Sequence, residues 1–182
     1  MPDDDAQAER LSQTEVMLVS AGYEHYEIAS YARPGARAVH NVGYWRWRDY
    51  VGVGPSAASA SFGPDGSVSR RTNPRGLDPW LQGVTSPTVR EPGALPTHER
   101  LMPEEAAREG LWLGLRLLEP LDLDRLERHF SRESGWAWAQ LEPLSGRGLI
   151  RRVGPSHVVV EPHAWLLHDL IADTLLPRSD AP

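Results

Sequence analysis

The sequence predicts an α/β segment followed by a mainly helical, winged-helix-like unit. Three observations carry this. An N-terminal amphipathic stretch runs through Ala21-Gly22 into the Tyr- and Ile-rich run Tyr23 to Ala29, which is half of a repeating α/β unit. Residues 101–177 hold three helical stretches, two short strands and a closing helix. Between the two lies a connection rich in Pro and Gly, where periodicity fails.

In the first segment, a helix is expected over residues 3–21, capped by Asp3 to Asp5, with Ala8, Leu11, Leu18 and Val19 roughly on one face. Gly22 stops it, and Tyr23 to Ala29 reads as a strand. Arg33-Pro34-Gly35 is a turn signal, and His40 is expected in the turn region after it. Tyr50 to Val53 reads as a short strand, and Gly52 to Ser61 as a loop of small residues. Residues 63–100 are expected to be an irregular connection with one short helix near Asp78 to Gly83 and a domain boundary near 86–100. In the last unit, Pro103, Glu104 and Glu105 open a helix with Ala107, Leu111, Leu115 and Leu118 on its apolar stripe. Asp122 caps a second helix, and Trp136 to Leu144 forms a third. Leu149 to Val153 and His157 to Val160 flank the turn Gly154-Pro155-Ser156, and Pro162 opens the final helix. The expected domains are thus 1–62, the connection 63–100, the helical unit 101–177 and a tail 178–182.

Composition narrows the chemistry. The chain has 182 residues, 40% hydrophobic and 24% charged, which is ordinary globular usage. It has no Cys, hence no thiolate nucleophile and no thiolate-bound metal or cluster. It has no lysine either, since all 19 basic residues are Arg, which excludes Schiff-base and P-loop lysine chemistry. A net charge of −6 disfavours non-specific nucleic-acid binding. No run is long and apolar enough to span a membrane, and the acidic start is unlike a signal peptide, so a cytoplasmic protein is expected.

All five tyrosines lie between Tyr23 and Tyr50, with Trp45 and Trp47 among them. The densest cluster is His40-Asn41-Val42-Gly43-Tyr44-Trp45. An imidazole there suits a haem-iron ligand, and aromatic faces suit a macrocycle. The alternative is that His40 and Asn41 cap backbone while Tyr44 and Trp45 fill a core. Gly52 and Gly54 lack the spacing of a phosphate loop, and close backbone packing is the simpler reading.

Tyr23-Glu24-His25-Tyr26-Glu27-Ile28, Tyr31-Ala32-Arg33-Pro34-Gly35, His40-Asn41-x-x-Tyr44-Trp45 and Asp49-Tyr50-Val51-Gly52-Val53-Gly54 occur in that order. Together they resemble the radical S-adenosylmethionine proteins related to oxygen-independent coproporphyrinogen III oxidase, in the branch regarded as haem chaperones. Arg71-Thr72-Asn73 and Trp80-Leu81-Gln82-Gly83 are similar to the family as well. The resemblance implies that residues 1–62 are late α/β units of a partial TIM-like barrel. It implies haem or porphyrin as ligand, with His40, Asn41, Tyr44 and Trp45 at the site, His40 on the iron, and Gly52 and Gly54 in a cofactor loop. The family's Cys-x-x-x-Cys-x-x-Cys motif is absent. A 4Fe-4S cluster and S-adenosylmethionine are therefore expected only with an N-terminal portion, and the chain is expected to be inactive alone. Ala58 and Ser56 stand where the family commonly has His and Gly. Expected partners are haem, a cysteine-bearing barrel chain, or a haem-accepting protein. A chain completing an active enzyme, and a winged-helix interaction module, remain alternatives. The first 60 residues are expected to leave a sheet edge and an apolar face in need of partners.

Overall fold

The computed structural model describes residues 4–85 and 96–176. The Asp3 cap, residues 86–95 of the expected boundary and the 178–182 tail lie outside the described residues.

The first helix, α1, spans Asp4–Ser20. Leu18 and Ala8 are half-buried, while Leu11, Val16, Met17 and Val19 stay exposed. Gly22 ends the helix region with a φ of +82°. The expected strand is a hairpin instead, β1 (Glu24–Glu27) and β2 (Ser30–Ala32), paired antiparallel. The other edge of β1 meets the chain again. Glu27 bridges Leu117, Ile28 N–H donates to Arg116 O at 3.2 Å, and Leu118 N–H donates to Tyr26 O at 3.1 Å. Tyr26 to Ile28 are thus engaged on the side away from β2, while the outer edge of β2 has no strand partner among the described residues. Glu15 fastens α1 to this hairpin and to the C-terminal half: it bonds His25 Nδ1 at 3.0 Å and accepts the Trp165 indole N–H at 3.2 Å.

The Pro34-Gly35 turn forms as expected, closed by Ala36 N–H to Arg33 O at 2.9 Å. Helix α2, Val39–Trp45, follows. His40 therefore stands in a helix and not in a turn. Nothing in the sequence announces this helix: its N-cap is Ala38, which makes no side-chain hydrogen bond. The strand expected at Tyr50 to Val53 is reduced to one bridge between Tyr50 and Ala60.

Strands β3 (Ala58–Phe62), β4 (Val68–Thr72) and β5 (Thr97–Leu101) make an antiparallel sheet in that order. Helix α3, Leu77–Thr85, covers the short helix expected near Asp78. Residues 63–100 thus supply two strands and a helix where an irregular connection was expected. The cause lies in the pairing: Arg70 shares a sheet face with Ala60 and Glu99, and ion pairs to Glu99 and Glu109 let it lie against the protein. Val68 and Phe62 bury the same face.

The C-terminal unit follows the expected order closely. Helix α4 is Pro103–Gly114, with Glu105 accepting the Met102 N–H at 3.0 Å. After a two-residue strand β6 (Leu121–Asp122), Asp122 caps α5 (Leu123–His129) through Arg125 N–H at 2.9 Å. Helix α6 is Trp136–Gly146, and β7 (Ile150–Val153) and β8 (His157–Val160) form the hairpin. The sheet order is β6-β8-β7. The final helix does not open at Pro162: a 3₁₀ turn at Trp165–Leu167 leads into α7, His168–Leu175.

One core joins both halves. Trp47, Ala60 and Val68 pack with Leu111, Leu126, Phe130, Leu141 and Ile171. All strand pairs among the described residues are antiparallel, and no closed barrel is formed. Gly110 makes the tightest helix contact, since a Cβ there would lie 2.3 Å from the Phe130 ring. That ring is boxed by Trp47, Phe62 and His129 and has no room to move. Overpacking costs ~1–3 kcal/mol, against a gain of up to ~1 kcal/mol in helix propensity. Gly110→Ala is expected to lower the urea midpoint at unchanged slope; a midpoint equal to or above wild type would contradict this packing.

Candidate functional site

The site is built on α2 and the sheet beneath it. Helical spacing places His40 one turn before Tyr44, so the two rings meet edge to face at 4.6 Å. The Tyr44 hydroxyl lies 3.3 Å from His40 Nε2. Tyr44 also meets the Tyr50 ring edge to face, at 4.4 Å. Tyr50 is fixed by its paired hydrogen bonds with Ala60, each 3.0 Å. The result is a row of rings, His40, Tyr44, Tyr50, running out from the edge of β3 at Ala60.

Tyr44 stands between two hollows. One, about 310 Å³, lies between α2, α4 and the sheet and is lined by Tyr44, Trp45, Tyr50, Phe62, Arg70 and Glu109, among others. The other, about 190 Å³, is smaller and is lined by His40 and Arg48, among others. The first falls in the lower range of small-molecule sites. Burial pushes the Tyr50 hydroxyl above its ordinary pKa, with Tyr44 and Glu109 adding and Arg70 opposing. Burial works against the charge of Arg70, but its bond to Glu109 and the charges of Glu109, Glu99 and Tyr50 together outweigh this and hold it above its usual value.

Trp45, its ring 6.3 Å from that of Tyr44, lines the larger hollow with it and also packs against the cluster of Tyr26, Ala32 and Leu117. The Arg116 guanidinium sits 4.3 Å from its ring centre. Its buried indole N–H has no acceptor among the described residues. Asn41 is exposed and takes no place in either hollow.

Gly52 and Gly54 are not brought to the ring row. They shape a loop beside it. A Cβ on Gly52 would lie 2.2 Å from Ala58 O, and Gly54 has a φ of +106°. Buried Asn73 donates to both their carbonyls, at 3.3 and 2.9 Å, and the Ser59 hydroxyl accepts the Gly52 N–H at 3.0 Å. Ser56 adopts a φ of +58°, a conformation that Gly holds without strain. The sequence reading gave no role to Arg70, Glu109, Phe62 or Arg48. The one signal available was the pair Arg70-Arg71; its ion pair to Glu109 spans 39 positions and has no local trace.

Two cofactors can be tested for fit. A neutral imidazole whose Nε2–H donates to Tyr44 keeps a lone pair on Nδ1, which makes no hydrogen bond among the described residues. With flat rings beside it and an unsatisfied indole donor in Trp45, the residues present fit a tetrapyrrole. They do not fit an iron–sulfur cluster, which needs thiolates that this chain lacks. Among the described residues no group of three His, Cys, Asp or Glu could hold a metal ion.

The family model of the HemN C-terminal domain matches residues 101–167. Over 96% of this chain, the fold is similar to that of the Escherichia coli coproporphyrinogen III oxidase HemN, a radical SAM enzyme. The TM-score is 0.66, the identity 21%, and 42% of that chain is covered. The chain thus corresponds to the C-terminal portion of a HemN-like radical SAM protein. Within that class it stands on the HemW branch. It is 30% identical to the heme chaperone HemW of Synechocystis over 163 residues, or 90% of this chain. It is 30% identical to HemW of Mycobacterium tuberculosis over 175 residues. It is 41% identical to HemW of Escherichia coli over 83 residues, or 46% of this chain and 22% of that protein. The chain spans 38% and 40% of the Synechocystis and Mycobacterium proteins. Among the described residues no helix is long and apolar enough to cross a membrane.

Proposed function

We propose that this chain is the haem- or porphyrin-contacting C-terminal portion of a HemW-type chaperone, acting in the cytoplasm and not catalytic by itself. The observation that carries this is the ring row His40–Tyr44–Tyr50 beside the hollow floored by Arg70 and Trp45. His40 offers the iron a ligand, Tyr44 orients the imidazole, and Tyr50 and Trp45 give apolar faces for the macrocycle. Haem, when bound, supplies the iron that the imidazole coordinates. The relatives named heme chaperone support haem as cargo and a haem-accepting protein as partner. Haem added to the chain is expected to give a saturable Soret shift at a ratio of one to one; no saturable shift would overturn the proposal.

We read residues 101–176 as a winged-helix-like domain, supported by the sheet order β6-β8-β7 and the flanking helices. Its hairpin argues against a DNA-binding wing, because Arg151 pairs with Glu161 at 3.3 Å and Arg152 lies 3.8 Å over the Trp138 ring.

A second reading has this chain completing an enzyme with a cysteine-bearing partner. It is favoured by the apolar residues that α1 leaves exposed, with Val16 at 66% and Met17 at 72%. In it, α1 and β1 stand as a late unit of a barrel whose remainder lies on that partner.

A further inference from the structure

We infer that Arg48 is the residue that anchors the carboxylate side chains of a tetrapyrrole held at His40. The inference rests on the haem reading above and supplies what that reading lacks, a group that selects the acidic edge of the ligand.

Three independent features converge on Arg48. The first is backbone. Trp47, just past α2, has a φ of +58°, the left-handed region that non-glycine residues seldom adopt. The reversal folds the chain back, and Arg48 N–H donates to Gly43 O at 3.0 Å. Buried Trp47 holds this geometry in place, with its indole N–H on Gly110 O at 2.9 Å. The second is packing. Gly43 has no side chain, and the Arg48 Cδ lies 3.7 Å from where a Gly43 Cβ would be. The arginine stem therefore lies along α2, on the helix that carries His40 three residues earlier. His40, Tyr44, Arg48 and Asp49 line one cavity of about 190 Å³ together with Val39, which is 76% exposed.

The third is charge. Arg37 and Arg46 nearby both pair with Glu119, and Arg37 with Glu24 as well; burial would raise the Glu119 carboxyl, but the hydrogen bonds from the two arginines hold it below the usual range. Arg48 has no ion-pair partner among the described residues. The adjoining Asp49 lines the same cavity, and one of its carboxylate oxygens accepts the Phe62 N–H at 2.9 Å. A cavity that sets a ligating imidazole, an aromatic wall, an exposed Val and an unpaired guanidinium side by side matches a flat apolar ligand with carboxylates at one edge. A guanidinium meets a carboxylate with paired, charge-assisted bonds, which an ester cannot accept with the same strength.

The test is equilibrium titration of the chain with haem and with haem dimethyl ester, followed at the Soret band, in wild type, Arg48→Gln and Arg48→Lys. Gln keeps the stem against Gly43, and Lys keeps the charge without the fork. Wild type is expected to bind haem about tenfold tighter than the ester, the scale of one charge-assisted contact. Arg48→Gln is expected to bring haem down to the ester's affinity with the Soret position unchanged, and Arg48→Lys to fall between. Equal affinity of wild type for haem and ester, or equal loss for both ligands in Arg48→Gln, would overturn the assignment while leaving the haem site standing. Failure of wild type to bind either ligand would overturn the haem reading and this inference with it.

Discussion

Arg116→Ala is expected to destabilise the protein by about 3–5 kcal/mol, the scale for breaking a buried ion pair from one side. Glu27 is 2% exposed and its carboxylate receives a hydrogen bond from Arg116. Without Arg116, the Ala29 N–H at 3.2 Å is the hydrogen bond left to that carboxylate among the described residues. The same guanidinium lies over the rings of Trp45, at 4.3 Å, and Trp112, at 5.8 Å. It thus joins the hairpin, α2 and the end of α4, and the loss includes packing as well as charge. Paired replacement by Glu27→Leu and Arg116→Met is expected to recover most of the loss, because no uncompensated charge remains. Urea unfolding of the three variants checks this. A loss under about 1 kcal/mol in Arg116→Ala would show that the pair is solvated and does not hold the site in place.

The second large effect is acid sensitivity below pH 6.5. His168 is 4% exposed at the start of α7. Its Nδ1 accepts the Trp112 indole N–H at 3.2 Å, and its buried Nε2 has no partner among the described residues. Burial, with the charge of Arg116 adding, lowers its pKa to about 4, and Asp169 and Glu27 only partly oppose this. The direction follows from linkage. Above the unfolded value near 6.5 both states hold a neutral ring, and stability is full. As pH falls from 6.5 toward 4, the unfolded chain takes a proton that the folded one refuses, so stability falls by ~1.4 kcal/mol per unit, on the order of 3 kcal/mol in all. His129, lowered chiefly by burial and then by Arg125, acts in the same direction. The range from pH 7 to 5 isolates these histidines, since carboxylates titrate lower. The urea midpoint is expected to drop across it in wild type and to drop less in His168→Gln. A midpoint flat from pH 7 to 5 would contradict the buried neutral ring.

These two groups also show what a sequence can and cannot reveal. The C-terminal unit was legible because its signals are local: Pro103 with Glu104 and Glu105, the Asp122 cap, and Gly154-Pro155-Ser156 each act within a few residues. Strand β4 was not, because Val-Ser-Arg-Arg-Thr looks like a polar loop until Glu109 and Glu99 neutralise Arg70. Helix α2 was not, because no side chain caps it and Gly43 lies within it; packing over the core, not propensity, holds it. The site was half legible. His40, Tyr44 and Trp45 share one hexapeptide, but His40 and Trp45 line different hollows, with Tyr44 between them. Tyr50, Arg70 and Arg48 join the site through a strand bridge, a cross-sheet ion pair and a left-handed reversal, none of which composition or spacing displays.

On the function proposed above, His40 is a haem ligand in this chain. The measurement that tests it most directly is a haem titration read at the Soret band in wild type and His40→Ala. His40 is exposed, so its removal leaves the core intact, and far-ultraviolet circular dichroism should be unchanged. Wild type is expected to show a saturable Soret shift that His40→Ala abolishes or moves to the position of unligated haem. A shift identical in position and midpoint in both proteins would contradict it and would leave the His40–Tyr44 pair as a contact that serves the helix alone.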